Sequence, residues 1–376
     1  MIPLNHRLDA LRRSGIRRYT ALAAETPGCI LLTIGEPEAD TPEEVKAAAV
    51  TALAAGQTHY APNQGTDLLR TAVAEFETKR GFACRKEQVI ITVGACEALF
   101  TALVGILNPG DEVIVPMPAF PLYESIITLA GGVTVPLDTS KTGFQIKEAS
   151  LRGLVTEKTK AIVLNSPNNP TGVVYSKESL AAVKAAVENQ PIYVICDNVY
   201  SGLSQKPLPD LSLDESLRPQ LLLCQSFSKP YAMTGWRVGY LIGPEDVMER
   251  LLLLHAAAVT AIPTFVQTAC VTALKTRPLT VENQRRLLVN RLTEMGLSFP
   301  KPEGAFYAFV DISQFSMDSE TFCTRMIREA EVAAVPGSCF GAEGYIRLSY
   351  CCGEETLAEG LNRMEAFIQK LGKERA

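Results

Sequence analysis

The sequence predicts an α/β fold, with a mostly parallel central sheet in a large domain and a smaller α+β domain beside it. Three observations predict it. In the middle of the chain, short continuously apolar segments alternate with segments of helical spacing. Toward the C-terminus that alternation gives way to longer charged helices and isolated strands. The chain has 376 residues, 47% of them hydrophobic, which exceeds one ordinary domain of about 100–200 residues.

Taken in order, residues 29–33 form a strand-like run that stands apart from the main alternation. Residues 88–93 are β-rich, and 95–107 follow with helical spacing. A strand at 112–115, a helix at 123–130 and a strand at 133–137 come next. Residues 160–165 form a strand, and Ser176 opens a helix over 177–188 as its N-cap. Residues 192–196 and 221–224 are continuous apolar strands. Another spans 236–242 and leads through Pro244 into a helix over 245–255. Apolar strands joined by helical crossovers indicate a sheet covered on both faces. Beyond it lie a charged helix (281–295), a strand (305–310), a helix (319–330), a strand (345–350) and a last helix (354–371). The expected division is a large domain of 41–280 and a small domain of 1–40 with 281–376.

Composition excludes several function classes. The net charge is −5 with no basic stripe, so nucleic acid is not an expected partner. The ten cysteines include no C-x-x-C pair and lie mostly in apolar runs, as in a reduced, cytoplasmic chain without a disulfide framework. His6, His59 and His255 are too scattered for a metal site. Residues 1–18 are polar and basic, without the apolar core of a signal peptide. Residues 251–274 are long and apolar enough to span a bilayer. His255, Pro263 and Gln267 interrupt them, and Pro263 reads as the start of a second helix. Two buried helices, not a membrane span, are expected.

Polar residues stand where strands end, which is where open α/β sheets place their sites. The strand 160–165 ends in Ser166-Pro-Asn-Asn169-Pro-Thr-Gly172. The strand 192–196 ends in Asp197-Asn-Val-Tyr200. The strand 221–224 ends in Gln225-Ser226-Phe-Ser228-Lys229, and Gly235-Trp-Arg237 follows. Each alone has a bland reading as a turn, a helix cap or a solvated side chain. Together they share a use. A neutral lysine amine forms an imine with an aldehyde. An aspartate holds a pyridine nitrogen protonated, making the ring an electron sink. Asparagine and tyrosine can bond a phenolate oxygen, and an arginine with serine hydroxyls can bind a phosphate. These are the needs of pyridoxal 5′-phosphate (PLP).

The segment S-F-S-K-P-Y-A-M-T-G-W-R-V-G-Y (226–240) resembles the PLP-lysine signature of class I/II aminotransferases of the PLP-dependent type I fold. The resemblance extends over nearly the whole chain. It includes I-G-E-P (34–37), T-H-Y-A-P-N-Q-G (58–65), V-G-A-C-E-A-L (93–99), N-P-G-D-E-V (108–113), S-P-N-N-P-T-G (166–172), D-N-V-Y (197–200), E-G-A-F-Y (303–307) and G-Y-I-R-L-S (344–349). The order and spacing agree with that family.

The resemblance implies roles for particular residues. Lys229 would carry PLP as a Schiff base and move the substrate proton, with Asp197 on the ring nitrogen. Tyr200 and Asn169 would bond the ring oxygen, and Phe120 would stack on the ring. Ala95 and Cys96, opening a helix, would meet the phosphate with their backbone N–H groups, joined by Ser226, Ser228 and Arg237. Arg347 would bind the substrate α-carboxylate, aided by Gly35 and Asn169. Tyr60 would reach the phosphate of the neighbouring subunit, implying a homodimer with shared sites. Substrates would be an L-amino acid and a 2-oxo acid such as 2-oxoglutarate.

The chain departs from the family pattern at Asn198, Cys96 and the Ala119-Phe120 pair. A PLP-dependent β-carbon–sulfur lyase, or a synthase acting at Cα, shares these residues. A non-catalytic PLP regulator would need a DNA-binding module before the fold, and a nicotinamide dehydrogenase a G-x-G-x-x-G opening a βαβ unit. R-S-G-I-R-R-Y (13–19) and the tail V-P-G-S-C-F-G-A-E-G-Y-I-R-L-S resemble the subgroup of bacterial aspartate, aromatic and N-acetyl-diaminopimelate aminotransferases, the last most closely.

Overall fold

The computed structural model describes residues 2, 4–11, 14–204 and 206–375. Arg13, the first residue of the 13–19 motif, lies outside them. The strands are β1 (Ile30–Leu31), β2 (Val89–Thr92), β3 (Glu112–Met117), β4 (Val133–Asp138), β5 (Thr159–Asn165) and β6 (Tyr193–Asp197). They continue as β7 (Leu221–Ser226), β8 (Gly239–Ile242), β9 (Tyr307–Asp311), β10 (Val332–Ala333), β11 (Val335–Pro336) and β12 (Tyr345–Ser349).

Seven strands form one sheet in the order β2-β8-β7-β6-β5-β3-β4. Every pairing from β7 across to β4 is parallel, and β8 alone runs antiparallel, between β2 and β7. Successive side chains of a strand point to opposite faces, and here both faces are covered. Ile91, Ile162, Leu164, Val194, Leu221 and Leu223 enter one apolar cluster. Ile90, Ala161, Val163, Ile195, Leu222 and Leu241 enter another. This two-sided burial explains why the strands read as unbroken apolar runs.

A three-stranded antiparallel sheet, β11-β12-β9, packs with the helices Glu282–Glu294, Ser319–Ala330 and Glu354–Arg375. Its core takes in Tyr19, Ala23 and Leu32 from the other end of the chain, beside Phe306, Phe322 and Leu357. β1 lies parallel to β10, with Ile30 opposite Val332.

The expected elements are present, with shifts that have local causes. The strand expected over 236–242 begins only at Gly239. Arg237 takes a left-handed φ of 53°, and Thr234–Trp236 is a 3₁₀ turn. The strand expected from 305 begins at Tyr307, because Ala305 has φ 55°. Of residues 29–33, only Ile30 and Leu31 pair. Ser176 does cap its helix, accepting from the Ser179 N–H at 3.2 Å. Residues 251–274 divide into the end of one helix, Glu245–Val259, and the whole of another, Thr264–Ala273, with Pro263 just before the second. Among the described residues no helix is long and apolar enough to cross a membrane.

The helix Gly94–Ile106 follows β2 and starts hard against β8. A Cβ on Gly239 would stand 2.7 Å from the Gly94 carbonyl carbon and 2.8 Å from the Ala95 nitrogen. Glycine at 239 therefore sets how closely that helix start approaches the sheet.

Candidate active site

Two parallel strands end level with one another, and the third runs two residues further, to Ser226. Asn165 of β5 lies opposite Asp197 of β6, and Asp197 opposite Cys224 of β7. The polar residues that follow each strand therefore leave the sheet at one edge. The Asn165 side chain stitches two of these ends together. Its Nδ2 donates to the Asp197 carbonyl at 2.9 Å, and its Oδ1 accepts from the Asn169 N–H at 2.8 Å.

Asp197 is buried, and its carboxylate accepts from the Tyr123 hydroxyl at 2.5 Å. Burial outweighs the hydrogen bonds from Tyr123 and the Val199 N–H, and pushes its pKa up to about 6. Among the described residues no cation pairs with it. Lys229 donates from Nζ to the Gly35 carbonyl at 2.5 Å. Burial lowers its pKa, because desolvation disfavours the ammonium.

A second cluster joins the two sheets. Tyr200 shares a hydroxyl–hydroxyl hydrogen bond with Tyr307 at 3.1 Å and accepts from Asn169 Nδ2 at 3.4 Å. Burial raises the Tyr200 pKa well above the ordinary phenol value. Arg347, on β12, is only 2% exposed. It donates to Asn169 Oδ1 at 2.8 Å and to the Thr33 carbonyl at 2.6 Å, while its Nε has no partner. The Tyr307 and Phe340 rings lie 4.4 Å and 4.8 Å from the guanidinium carbon. A buried arginine held by neutral oxygens and ring faces keeps an unmet preference for an anion. Gly35 passes so close to Tyr307 that a Cβ there would lie 2.0 Å from the hydroxyl oxygen.

The helix Gly94–Ile106 has no side-chain cap, so the N–H groups of its first turn, including those of Ala95 and Cys96, remain available. Arg237 stands beside this turn: a Cβ on Gly94 would be 2.9 Å from its Nη2. Ser226 and Ser228 are buried next to one another, with the Ser228 N–H donating to Ser226 Oγ at 3.0 Å. Phe120 meets Tyr123 edge-on, with ring centroids 6.0 Å apart. Tyr60 is 92% exposed and stands apart from this constellation within the single chain.

Tyr123, Tyr307 and Thr33 belong to the site and were not singled out for a role by sequence reading. Only the E-G-A-F-Y motif hinted at Tyr307. An open cleft of about 960 Å³ runs alongside, walled by Glu36, Thr41, Thr234, Trp236, Phe265 and Cys351. Lys229, Asp197 and Arg347 are not among its walls, so convergent chemistry, not open volume, marks the site.

The sequence model for aminotransferase class I and II matches residues 27–364. The chain is similar to a probable N-acetyl-LL-diaminopimelate aminotransferase of Bacillus subtilis (strain 168). The two are 40% identical over 98% of this chain and 96% of that one. It is 38% identical to an aspartate/prephenate aminotransferase of Thermus thermophilus, over 98% of this chain and 99% of the relative. The solved aspartate aminotransferase from Thermus thermophilus with maleate superposes with a TM-score of 0.90 at 36% identity. That match covers 97% of this chain and 100% of that structure. With a family match across most of its length and relatives aligned nearly end to end, the chain belongs to the class I and II aminotransferases, enzymes that move an amino group between amino acids and 2-oxo acids.

Proposed function

We propose that this aminotransferase holds PLP at Lys229 and passes the amino group of an L-amino acid to a 2-oxo acid, with 2-oxoglutarate as acceptor. The observation that carries the reading is a pair of uncompensated buried charges beside a desolvated amine. Asp197 lacks a cation, which suits a protonated ring nitrogen. Arg347 lacks a carboxylate, which suits the substrate. The donor set therefore fits the cofactor.

Lys229 would hold the aldehyde carbon, Asp197 the ring nitrogen, and Asn169 and Tyr200 the ring oxygen. Phe120 would cover a ring face. The Ala95 and Cys96 N–H groups, Ser226, Ser228 and Arg237 would hold the phosphate. When bound, PLP supplies an aldehyde carbon for amines and a ring that accepts an electron pair. The protein's own contribution is positioning and proton transfer. The lowered pKa of Lys229 keeps more of the amine unprotonated, so it can take the proton from the substrate Cα and would deliver it to the carbon that the cofactor's aldehyde supplies. Arg347, with the Asn169 amide and the Gly35 backbone, fixes the α-carboxylate and hence the direction of the Cα–H bond.

We also propose that 41–280 form one domain and 1–40 with 281–376 a second. The shared core of Tyr19, Leu32, Phe306 and Leu357 supports this. The reading extends to a cytoplasmic homodimer in which Tyr60 serves the partner's phosphate. Val50, Leu53 and Leu68 are exposed apolar residues close to Tyr60 in sequence, and all ten cysteines are free.

Four outcomes test this reading. Borohydride treatment of the PLP-loaded protein should abolish its visible absorbance and leave the pyridoxyl group on Lys229 in a peptide map. Label on another lysine defeats the assignment. A panel of amino acids with 2-oxoglutarate should then identify the donor.

Arg347→Ala should raise KM for amino and keto acids by tenfold or more, since a charge-assisted hydrogen bond contributes about 1.5–3 kcal/mol. Arg347→Lys should recover little, because an ammonium lacks the planar fork. PLP affinity should survive both changes. Loss of the cofactor with unchanged KM would refute the role.

Asp197 has a folded pKa above its unfolded value, so its ionisation opposes folding. The penalty is absent below the unfolded pKa, grows as pH rises toward about 6, and is constant above. In cofactor-stripped protein, Asp197→Asn should therefore raise stability near pH 7.5 by about 1–3 kcal/mol, with no gain near pH 3. Activity should nevertheless collapse. An equal gain at both pH values would point to packing, not charge.

Sedimentation should show a dimer, and Tyr60→Phe should weaken PLP by about tenfold without dissociating it. A fully active monomer contradicts the shared site.

A further inference from the structure

Glu97 lies in the first turn of the helix Gly94–Ile106, and its side chain is only 10% exposed. Its carboxylate gathers three polar groups. Oε2 accepts from the Val93 N–H at 3.0 Å, and Oε1 accepts from the Thr101 hydroxyl at 2.6 Å. Oε1 also faces His255 Nδ1 at 3.1 Å. His255 comes from the helix Glu245–Val259 and is completely buried, and its Nε2 has no partner. Neither residue has a place in the chemistry above.

Glu97, the fourth residue of its helix, reaches back to the N–H of the residue before the helix, much as the third-position acid of a capping box does, and the helix dipole favours it there. Here it engages Val93 and leaves the helix without a side-chain cap. The turn it holds is unusual. Gly94 has φ 68°, and the Thr92 hydroxyl donates to the Gly94 carbonyl at 2.9 Å. Thr101 anchors the carboxylate from within the helix, and His255 anchors it from a neighbouring one. The first turn is thus braced from outside itself, which limits how its N–H groups can reorient.

We propose that Glu97 and His255 are a positioning pair for the cofactor phosphate. They fix the turn from strand to helix so that the Ala95 and Cys96 N–H groups converge on one anion. The proposal rests on the reading of that turn as the phosphate site. Both residues act through the backbone. Preorganised donors bind an anion tightly because little reorganisation remains at binding.

The test compares PLP with pyridoxal, which has the same ring and aldehyde but no phosphate, by spectrophotometric titration of cofactor-stripped protein. Glu97→Leu should weaken PLP by about tenfold and leave pyridoxal within about twofold, as expected for losing one charged hydrogen-bond acceptor. Glu97→Gln keeps an oxygen for the Val93 N–H and should restore most of the PLP affinity. His255→Leu should weaken PLP in the same direction, by about threefold. An equal loss for both ligands, following a lowered melting temperature, assigns the pair a purely structural role and overturns the proposal. Unchanged PLP affinity in both leucine variants overturns it too. If Glu97→Leu does not fold, His255→Leu is compared on the same two ligands: a loss confined to PLP supports the pair, and an equal loss or none overturns it. Wild-type protein that binds PLP no better than pyridoxal would instead remove the phosphate reading itself.

Discussion

Parallel pairing of β5, β6 and β7 without a register slip is the constraint on which the site depends. Because Asn165, Asp197 and Cys224 lie level, three loops from distant parts of the chain leave three adjacent strands side by side. A slip of one residue in any of these strands would turn Asp197 or Ser226 to the opposite face. The apolar residues of both faces oppose such a slip, since Leu164 and Val163 already occupy separate cores. The packing of the sheet and the placement of the chemistry are therefore one specification.

On this rigid edge the protein places charge against the usual rules of burial. Arg347 directs its donors to an amide oxygen and a main-chain carbonyl. The Asp197 carboxylate accepts from a tyrosine and a backbone N–H. Lys229 is desolvated and rests on Gly35. Such groups cost a folded protein stability, and the surrounding aromatic rings and amide groups keep them ordered meanwhile. Arg347 also ties the two sheets together, since it sits on β12 and bonds Asn169 beyond β5. An anion drawn to this guanidinium would be felt on both sides at once.

How much of this was legible in the sequence depends on the range of the interaction. Strands and crossovers were legible because period and apolar content are local. Lys229, Asp197, Tyr200 and Asn169 stood out as candidates because polar residues that follow apolar strands form recognisable motifs. Tyr123 was not, because it meets Asp197 across 74 residues. Tyr307 meets Tyr200 across 107, and His255 meets Glu97 across 158. No local pattern records such encounters. The late start of the strand expected from 236 has a different cause. Arg237 adopts a left-handed backbone, a conformation that propensity assigns to glycine and asparagine.

The pairing of β1 with β10 has a consequence for synthesis. Ile30 leaves the ribosome early, yet its partner Val332 follows about 300 residues later, or roughly 15–60 s at about 5–20 residues per second. Throughout that interval all seven strands of the large sheet emerge, while β1 and Tyr19 have no core to enter. The N-terminal strand therefore stays without its strand partner until β10 has been made.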